Sequence, residues 1–188
     1  MRRELVVVLG AGAWMLAGCG PGDLDLRRVD PGAADSPSVR HAIAVLHPTQ
    51  GSQARGVVRF EASDGPGLRV VAQLEGLEEG PHGSHVHLLG DCAAPDGTSA
   101  GTHFNFRGSS KSPPADIGRI TGNLGDIVAS SDGKGRLEAE LPNASLQGPF
   151  SILGRSVIVH AQANDPSQPP IGAAGSRRAC GVIGIDEP

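Results

Sequence analysis

Short runs in which every second residue is apolar recur along most of this sequence, and they restrict its fold more than any other feature. The runs at 57–61 and 68–74 alternate clearly, and each is bounded by Gly, Pro, Asp or Ser. Successive side chains of a strand point to opposite faces, whereas a helix needs a period of 3.6 residues, which no segment sustains. The pattern therefore predicts an all-β fold, an antiparallel sandwich or barrel with Greek-key connections.

Further predicted strands and two long loops complete this pattern. The other strands are predicted at 42–46, 125–129, 135–141, 156–160 and 180–185. Asp132-Gly133 lies between two of them and is typical of a β-hairpin turn. The stretches 88–119 and 161–176 are rich in Gly, Pro and Ser and weakly apolar. Loops this long in a compact domain usually carry function, so we expect an active site there.

The amino terminus has the features of an exported leader. Arg2 and Arg3 precede an apolar segment at 5–17 that is too short to remain as a membrane-spanning helix. It ends in Leu-Ala-Gly-Cys, which resembles a bacterial lipobox in which Cys19 is acylated. An ordinary secretory signal that happens to end near a cysteine is the alternative.

These features predict three regions. Residues 1–18 are expected to be a lipoprotein signal peptide, and 19–40 a flexible tether rich in Gly and Pro. Residues 41–188 are expected to form the folded domain. The lipid on Cys19 would then anchor an exported protein to a bacterial membrane, on its periplasmic or cell-surface side.

Charge and composition exclude one class of partner. The formal net charge is -4, and no basic stripe with interleaved aromatic residues occurs. Nucleic-acid binding is therefore not expected. No feature of the sequence specifies an oligomeric state.

Three cysteines are present. If Cys19 carries lipid, Cys92 and Cys180 remain. In an oxidising exported compartment these two are expected to pair, and two buried free thiols are the alternative.

Four histidines form a possible metal-binding set. His85 and His87 are two residues apart in an extended segment, so their side chains point to the same face. His103 follows after a loop, and His160 ends the strand predicted at 156–160. Taken singly, each is more typical of a core or surface histidine than of a ligand.

The residues around these histidines resemble the Cu/Zn superoxide dismutase family. The resemblance spans about residues 42–186, with its motifs in the same order throughout. It rests on the segments 80–87 (GPHGSHVH), 90–92 (GDC), 99–105 (SAGTHFN), 159–160 (VH), 175–177 (GSR) and 179–184 (ACGVIG).

The resemblance implies a copper site and its surroundings. His85, His87, His103 and His160 correspond to the copper ligands, and nitrogen donors suit Cu(II). Cys92 and Cys180 correspond to the intrasubunit disulfide of the family. Arg177 corresponds to the arginine beside copper that guides the superoxide anion. His82 corresponds to a histidine with a structural role.

The same alignment predicts no second metal. Family members hold zinc with the bridging histidine, two further histidines and an aspartate, but 104–123 contains no histidine. Lys111, Ile120 and Asn123 stand at or near the positions of the missing zinc ligands. Isoleucine has no donor atom, and a lysine ammonium is repelled by zinc. The sequence therefore resembles the copper-only branch of the family, and zinc is not expected as a cofactor.

A further departure affects the copper ligands. Asn164 stands where the family has an aspartate that links the two metals through hydrogen bonds. His85 and His103 then need other partners to fix their tautomers. The candidates are Asp116, Asp126 and Asp165.

The expected function is copper-dependent dismutation of superoxide to oxygen and hydrogen peroxide outside the cytoplasm. The main alternative is a periplasmic copper-binding or storage protein with little or no dismutase activity, and a purely structural sandwich is the third. Arg177 favours the enzyme, because a copper store does not need an arginine that guides an anion.

Overall fold

Eight β-strands form the domain. The computed structural model describes residues 38–105, 122–165, 167 and 174–187. Within these ranges, two short 3-10 turns, Thr98–Ala100 and Gly148–Phe150, lie in the connections between strands. The strands are β1 (His41–Pro48), β2 (Arg55–Ala62), β3 (Leu68–Glu75), β4 (Gly80–His87), β5 (Asn123–Ala129), β6 (Gly135–Leu141), β7 (Ser156–His160) and β8 (Arg177–Ile185).

The strands close into a single barrel. Their order is β1-β2-β3-β6-β5-β4-β7-β8, and β8 pairs with β1. Every neighbouring pair is antiparallel. Because β3 pairs with β6 rather than β4, the chain crosses the barrel end between β3 and β4, as in a Greek key. The predicted all-β Greek-key fold is confirmed.

The core follows from the alternation in the sequence. Ala42, Ala44 and Leu46 are the buried residues of β1, and Phe60 is buried on the neighbouring β2. Their neighbours in sequence point to the solvent side, since successive side chains of a strand alternate. The predicted Asp132-Gly133 turn joins β5 to β6, where Gly133 has a φ of 79°. Glycine reaches this left-handed conformation without strain.

Strands β4 and β7 differ from the others because they are buried on both faces. Val157 and Val159 of β7 point into the barrel core, while Ile158 and His160 occupy the opposite face. That outer face is covered, since Ile158 packs with Ala100 of the first long loop. The outer faces of β4 and β7 therefore form a second, smaller interior beneath the loops.

No helix in the described part of the chain is long and apolar enough to cross a membrane.

Barrel closure gives a direct test of the fold. A Cβ added to Gly181 on β8 would lie 2.3 Å from the carbonyl oxygen of Val45 on β1, closer than such atoms can approach. Gly181→Ala should therefore lower the free energy of unfolding by about 1–3 kcal/mol. Gly184→Ala is the matched control, because a Cβ added there meets nothing within 4 Å. Urea unfolding followed by circular dichroism measures both; equal stabilities would contradict the close contact at the β1–β8 seam.

Candidate metal centre

The four predicted histidines come together on the outer face of the barrel. His85 and His87 project from the same face of β4, and His160 ends the neighbouring β7. His103 arrives from the first long loop, where it forms an isolated antiparallel bridge with His87. His85, His87 and His160 are buried and His103 is half-buried.

The imidazoles are close enough for one metal ion. One ring nitrogen from each of the four lies within 4.8 Å of the others. Ring centroids are between 3.8 Å (His85 to His103) and 6.2 Å (His85 to His87) apart. This is the only group of three or more potential metal ligands among the described residues.

Hydrogen bonds fix which nitrogen carries the proton in two of the rings, and a third ring contacts a side chain. The Nδ1–H of His87 donates to the carbonyl of Gly101 at 2.9 Å, and the Nδ1–H of His160 donates to the carbonyl of Gly175 at 3.1 Å. A carbonyl oxygen only accepts, so the ring nitrogen facing it must carry the proton. The partner of His85 is a side chain: its Nε2 lies 2.6 Å from Oδ1 of Asn164.

Each of the four histidines also has one buried ring nitrogen that makes no hydrogen bond with the described residues. Nδ1 of His85, Nε2 of His87 and Nε2 of His160 are buried and have no hydrogen-bond partner among the described residues, and the same holds for Nδ1 of His103. Buried polar atoms without a partner are rare and call for an explanation. The carbonyl contacts leave the lone pairs of His87 and His160 on Nε2, and one nitrogen from each of the four rings lies within the cluster. This arrangement fits a metal that accepts nitrogen ligands, such as copper.

Burial keeps the cluster uncharged. The pKa of His87 is lowered to about 2, mainly by loss of hydration and also by the nearby Arg177, although the bond to the carbonyl of Gly101 opposes these effects. Burial, followed by the neighbouring His87, lowers the pKa of His103 to about 3. The pKa values of His85 and His160 are also lowered, first by burial. Since only neutral imidazole binds a metal, all four rings are ready to bind at neutral pH.

Arg177 lies beside this cluster. Its Nη1–H donates to the carbonyl of Gly97 and its Nη2–H donates to the carbonyl of Gly101 at 2.6 Å. The carbonyl oxygen of Gly101 therefore accepts hydrogen bonds from both Arg177 and His87. Burial lowers the pKa of Arg177 from its ordinary value, with Asp96 opposing the shift. The guanidinium brings a positive charge to the histidines from the first residue of β8.

A disulfide ties the first long loop to the last strand. Cys92 and Cys180 are bonded, their Cα atoms 5.8 Å apart and their positions 88 residues apart in sequence. Both sulfur-bearing side chains pack with Ile158 on the outer face of β7. The predicted pairing is confirmed, and the alternative of two free thiols is wrong.

His82 is buried away from the ligand cluster. Its Nδ1 lies 2.8 Å from the carbonyl oxygen of His160, and its Nε2 lies 2.8 Å from that of Glu78. It therefore joins the end of β7 to the connection before β4, as expected of a structural residue.

The partner of His85 is a residue that the sequence does not predict. Asn164 contacts His85 directly, and Asp126 stands behind it, accepting from the backbone and side-chain nitrogens of Asn164. Asp126, one of the expected candidates, therefore belongs to the hydrogen-bond network of His85, but it is connected to His85 through Asn164. Asp165, another candidate, accepts from the backbone N–H and the hydroxyl of Ser167.

Several predicted positions lie outside the described residues. They are Cys19, Lys111, Asp116 and Ile120. Asn123, at the start of β5, is described, and its Oδ1 accepts from the backbone N–H of Gly125 at 3.2 Å.

The fold and the site together define a β-barrel metalloprotein with a four-histidine centre. Residues 54–183 match the family model described as copper/zinc superoxide dismutase. The chain belongs to the copper/zinc superoxide dismutase family.

Similar proteins come from animals. Superoxide dismutase [Cu-Zn] A of Xenopus laevis is 39% identical over 141 residues, which cover 70% of this chain and 89% of that protein. The extracellular superoxide dismutase [Cu-Zn] of Onchocerca volvulus is 37% identical over 156 residues, covering 78% and 76%. The extracellular superoxide dismutase [Cu-Zn] of Brugia pahangi is 38% identical over 154 residues, covering 77% and 75%.

The low pKa values predict how pH acts on the metal-free protein. Below the ordinary histidine pKa of about 6.5, the unfolded chain binds protons that the folded cluster does not. The free energy of unfolding should therefore fall as the pH drops from about 6.5 toward 5. Each buried imidazole contributes about 1.4 kcal/mol per pH unit where it is protonated in the unfolded chain and neutral in the folded protein.

Urea unfolding in the presence of a chelator, followed by circular dichroism, measures this slope. The variant His87→Gln should be less sensitive to acid, because it lacks one proton-binding group whose folded pKa is about 2. An equal slope in the two proteins would contradict the burial of a neutral His87.

Proposed function

We propose that this protein is a copper-dependent superoxide dismutase in which His85, His87, His103 and His160 hold one copper ion. The observation that carries the proposal is the set of buried, partnerless ring nitrogens on these four histidines. Family membership supports the reaction, and the related proteins named above are superoxide dismutases.

The protein's own groups have distinct tasks in this reaction. Copper held by the four histidines would supply one-electron chemistry between Cu(II) and Cu(I), with one superoxide anion oxidised to oxygen and a second, with two protons, reduced to hydrogen peroxide. The carbonyls of Gly101 and Gly175 orient His87 and His160, and Asn164 orients His85. Neutral, fixed imidazoles need not lose a proton or rotate before they bind the metal.

Arg177 attracts and orients the anionic substrate. The chain carries a formal charge of -4, which repels superoxide at long range, so a local positive charge is needed at the site. The guanidinium is held by two loop carbonyls and is close enough to lower the pKa values of His87, His103 and His160.

Replacing Arg177 tests whether turnover depends on a positive charge at the metal site rather than on the charge of the protein as a whole. Arg177→Ala should slow turnover by about tenfold or more at low ionic strength and flatten its salt dependence, with copper still bound; superoxide dismutases are themselves the standard example of such steering. Arg178→Ala is the matched control: it removes the same charge from the next residue, which pairs instead with Glu78 at 2.8 Å. Stopped-flow decay of superoxide measures both, and equal effects would remove Arg177 from the mechanism.

We further propose that the site holds copper alone, as in the copper-only branch of the family. The sequence from 104 to 123 has no histidine, and Asn123 and Asn164 stand where the family has aspartates. The Oδ1 of Asn123 accepts from Gly125, and the Oδ1 of Asn164 accepts from His85. Neutral amides do not supply the deprotonated donors that a structural zinc ion requires.

Metal content tests this directly. After exposure to equimolar copper and zinc and removal of the excess, we expect one copper and no zinc per chain by elemental analysis. Stoichiometric zinc would overturn the single-metal proposal. If the copper-loaded protein dismutes superoxide no faster than aqueous copper, the protein is a copper store and not an enzyme.

We also propose that the protein is exported and held at a bacterial membrane by lipid on Cys19. The charged and apolar pattern of residues 1–18 and the small residues before Cys19 support this. Two of the related proteins are named as extracellular.

A further inference from the structure

The hydrogen bonds around Asn164 can be assigned without ambiguity, starting from a backbone group. The backbone N–H of Asn164 donates to Oδ1 of Asp126 at 2.9 Å, which makes that oxygen an acceptor. The side-chain amide of Asn164 contacts the same oxygen at 2.7 Å. Only the NH₂ group of an amide can donate, so Nδ2 must face Asp126.

The assignment then passes to His85. With Nδ2 facing Asp126, the amide oxygen of Asn164 must face the imidazole, 2.6 Å from Nε2. An amide oxygen only accepts, so Nε2 of His85 must carry the proton. The lone pair is therefore on Nδ1, a buried nitrogen with no hydrogen-bond partner in the described part of the chain.

The barrel leaves room for this arrangement at Gly83. Gly83 lies on the same face of β4 as His85 and pairs with Asp126 on β5. A Cβ added to Gly83 would lie 3.1 Å from Oδ1 of Asn164 and 2.9 Å from Cβ of Ala174. The loop carrying Asn164 is fixed alongside, because the backbone N–H of Gly83 donates to the carbonyl of Gln162 at 2.7 Å.

His85 thus differs from the other two oriented rings. Backbone carbonyls orient His87 and His160, and a carbonyl cannot exchange its acceptor for a donor. The amide of Asn164 can, since a half-turn about its last bond would present Nδ2 to His85. That half-turn would move the imidazole proton to Nδ1 and remove the lone pair needed by a metal.

We propose that Asp126 is a positioning residue that locks the amide of Asn164 and thereby holds His85 in the tautomer that binds copper. Asp126 lies 38 residues before Asn164 in sequence, and in this proposal it acts on the imidazole through the Asn164 amide. The arrangement also keeps a carboxylate off the ligand itself, placing a neutral amide between them. This inference builds on the proposed copper site, but the tautomer exists without metal.

The test reads the tautomer in the metal-free full-length protein. Long-range ¹H–¹⁵N spectra of the imidazoles distinguish a protonated Nε2 from a protonated Nδ1, and His85→Gln identifies the His85 signals. We expect a single Nε2–H tautomer in the parent protein and a mixture in Asp126→Ala. Asp126→Asn keeps an acceptor oxygen in place and should restore the single tautomer.

Ser84→Ala is the matched control for a general loss of structure. Ser84 is buried in the same strand and donates to the carbonyl of Gly125 on β5, so its removal also breaks a β4–β5 contact. It should destabilise the barrel without changing the His85 tautomer. A single Nε2–H tautomer in Asp126→Ala, or a protonated Nδ1 in the parent protein, would overturn the proposal.

Copper titration provides a second readout. Mutation of residues that orient metal ligands weakens metal binding by about 10–100-fold, and we expect a loss of this size in Asp126→Ala but not in Ser84→Ala. Mixed tautomers with unchanged copper affinity would overturn the link between Asp126 and metal binding. A parent protein that binds no copper would contradict the proposed function, while the tautomer measurement would still decide the role of Asp126.

Discussion

The carbonyl of Gly101 connects the two functional parts of the site. It accepts the Nδ1–H of His87 at 2.9 Å and the Nη2–H of Arg177 at 2.6 Å. A carbonyl oxygen has two lone pairs, so both bonds can form together. Gly101 has a φ of 74°, a conformation that other residues adopt only with strain. The direction of a proposed ligand ring and of the guanidinium therefore depends on one peptide group in one loop.

That loop is fixed by contacts made outside the barrel core. The Cys92–Cys180 disulfide joins it to β8, and Ala100 packs with Ile158 on the outer face of β7. The loop covers the outer face of β4 and β7, where His85, His87 and His160 are buried, and it carries the half-buried His103. Burial in turn lowers their pKa values, which keeps them neutral. The same packing therefore fixes the loop in place and keeps the imidazoles in the neutral form that can bind a metal.

Features that depend on a local pattern, such as the strands, can be predicted from the sequence. Hydrogen-bond partners that are distant in sequence cannot. Alternation predicts most strands, but it indicates only residues 85–87 of β4, which begins at Gly80, because a strand buried on both faces does not alternate. The histidine set came from ordered motifs. The carbonyls of Gly101 and Gly175 could not be predicted, since every residue has one. The Asp126–Asn164 pair depends on the register of β4 with β5, which no local pattern contains.

Three histidines of the cluster and the core residues occupy opposite faces of the same two strands. In β7, Val157 and Val159 face the core while His160 faces the loops, and in β4 Val86 faces the core between His85 and His87. A one-residue slip in strand pairing would exchange these faces. It would place imidazoles in the apolar interior without acceptors, at a cost of roughly 1–3 kcal/mol for each unsatisfied group. The buried histidines would therefore add to the free-energy cost of a mispaired barrel, beyond the cost of the misplaced apolar residues.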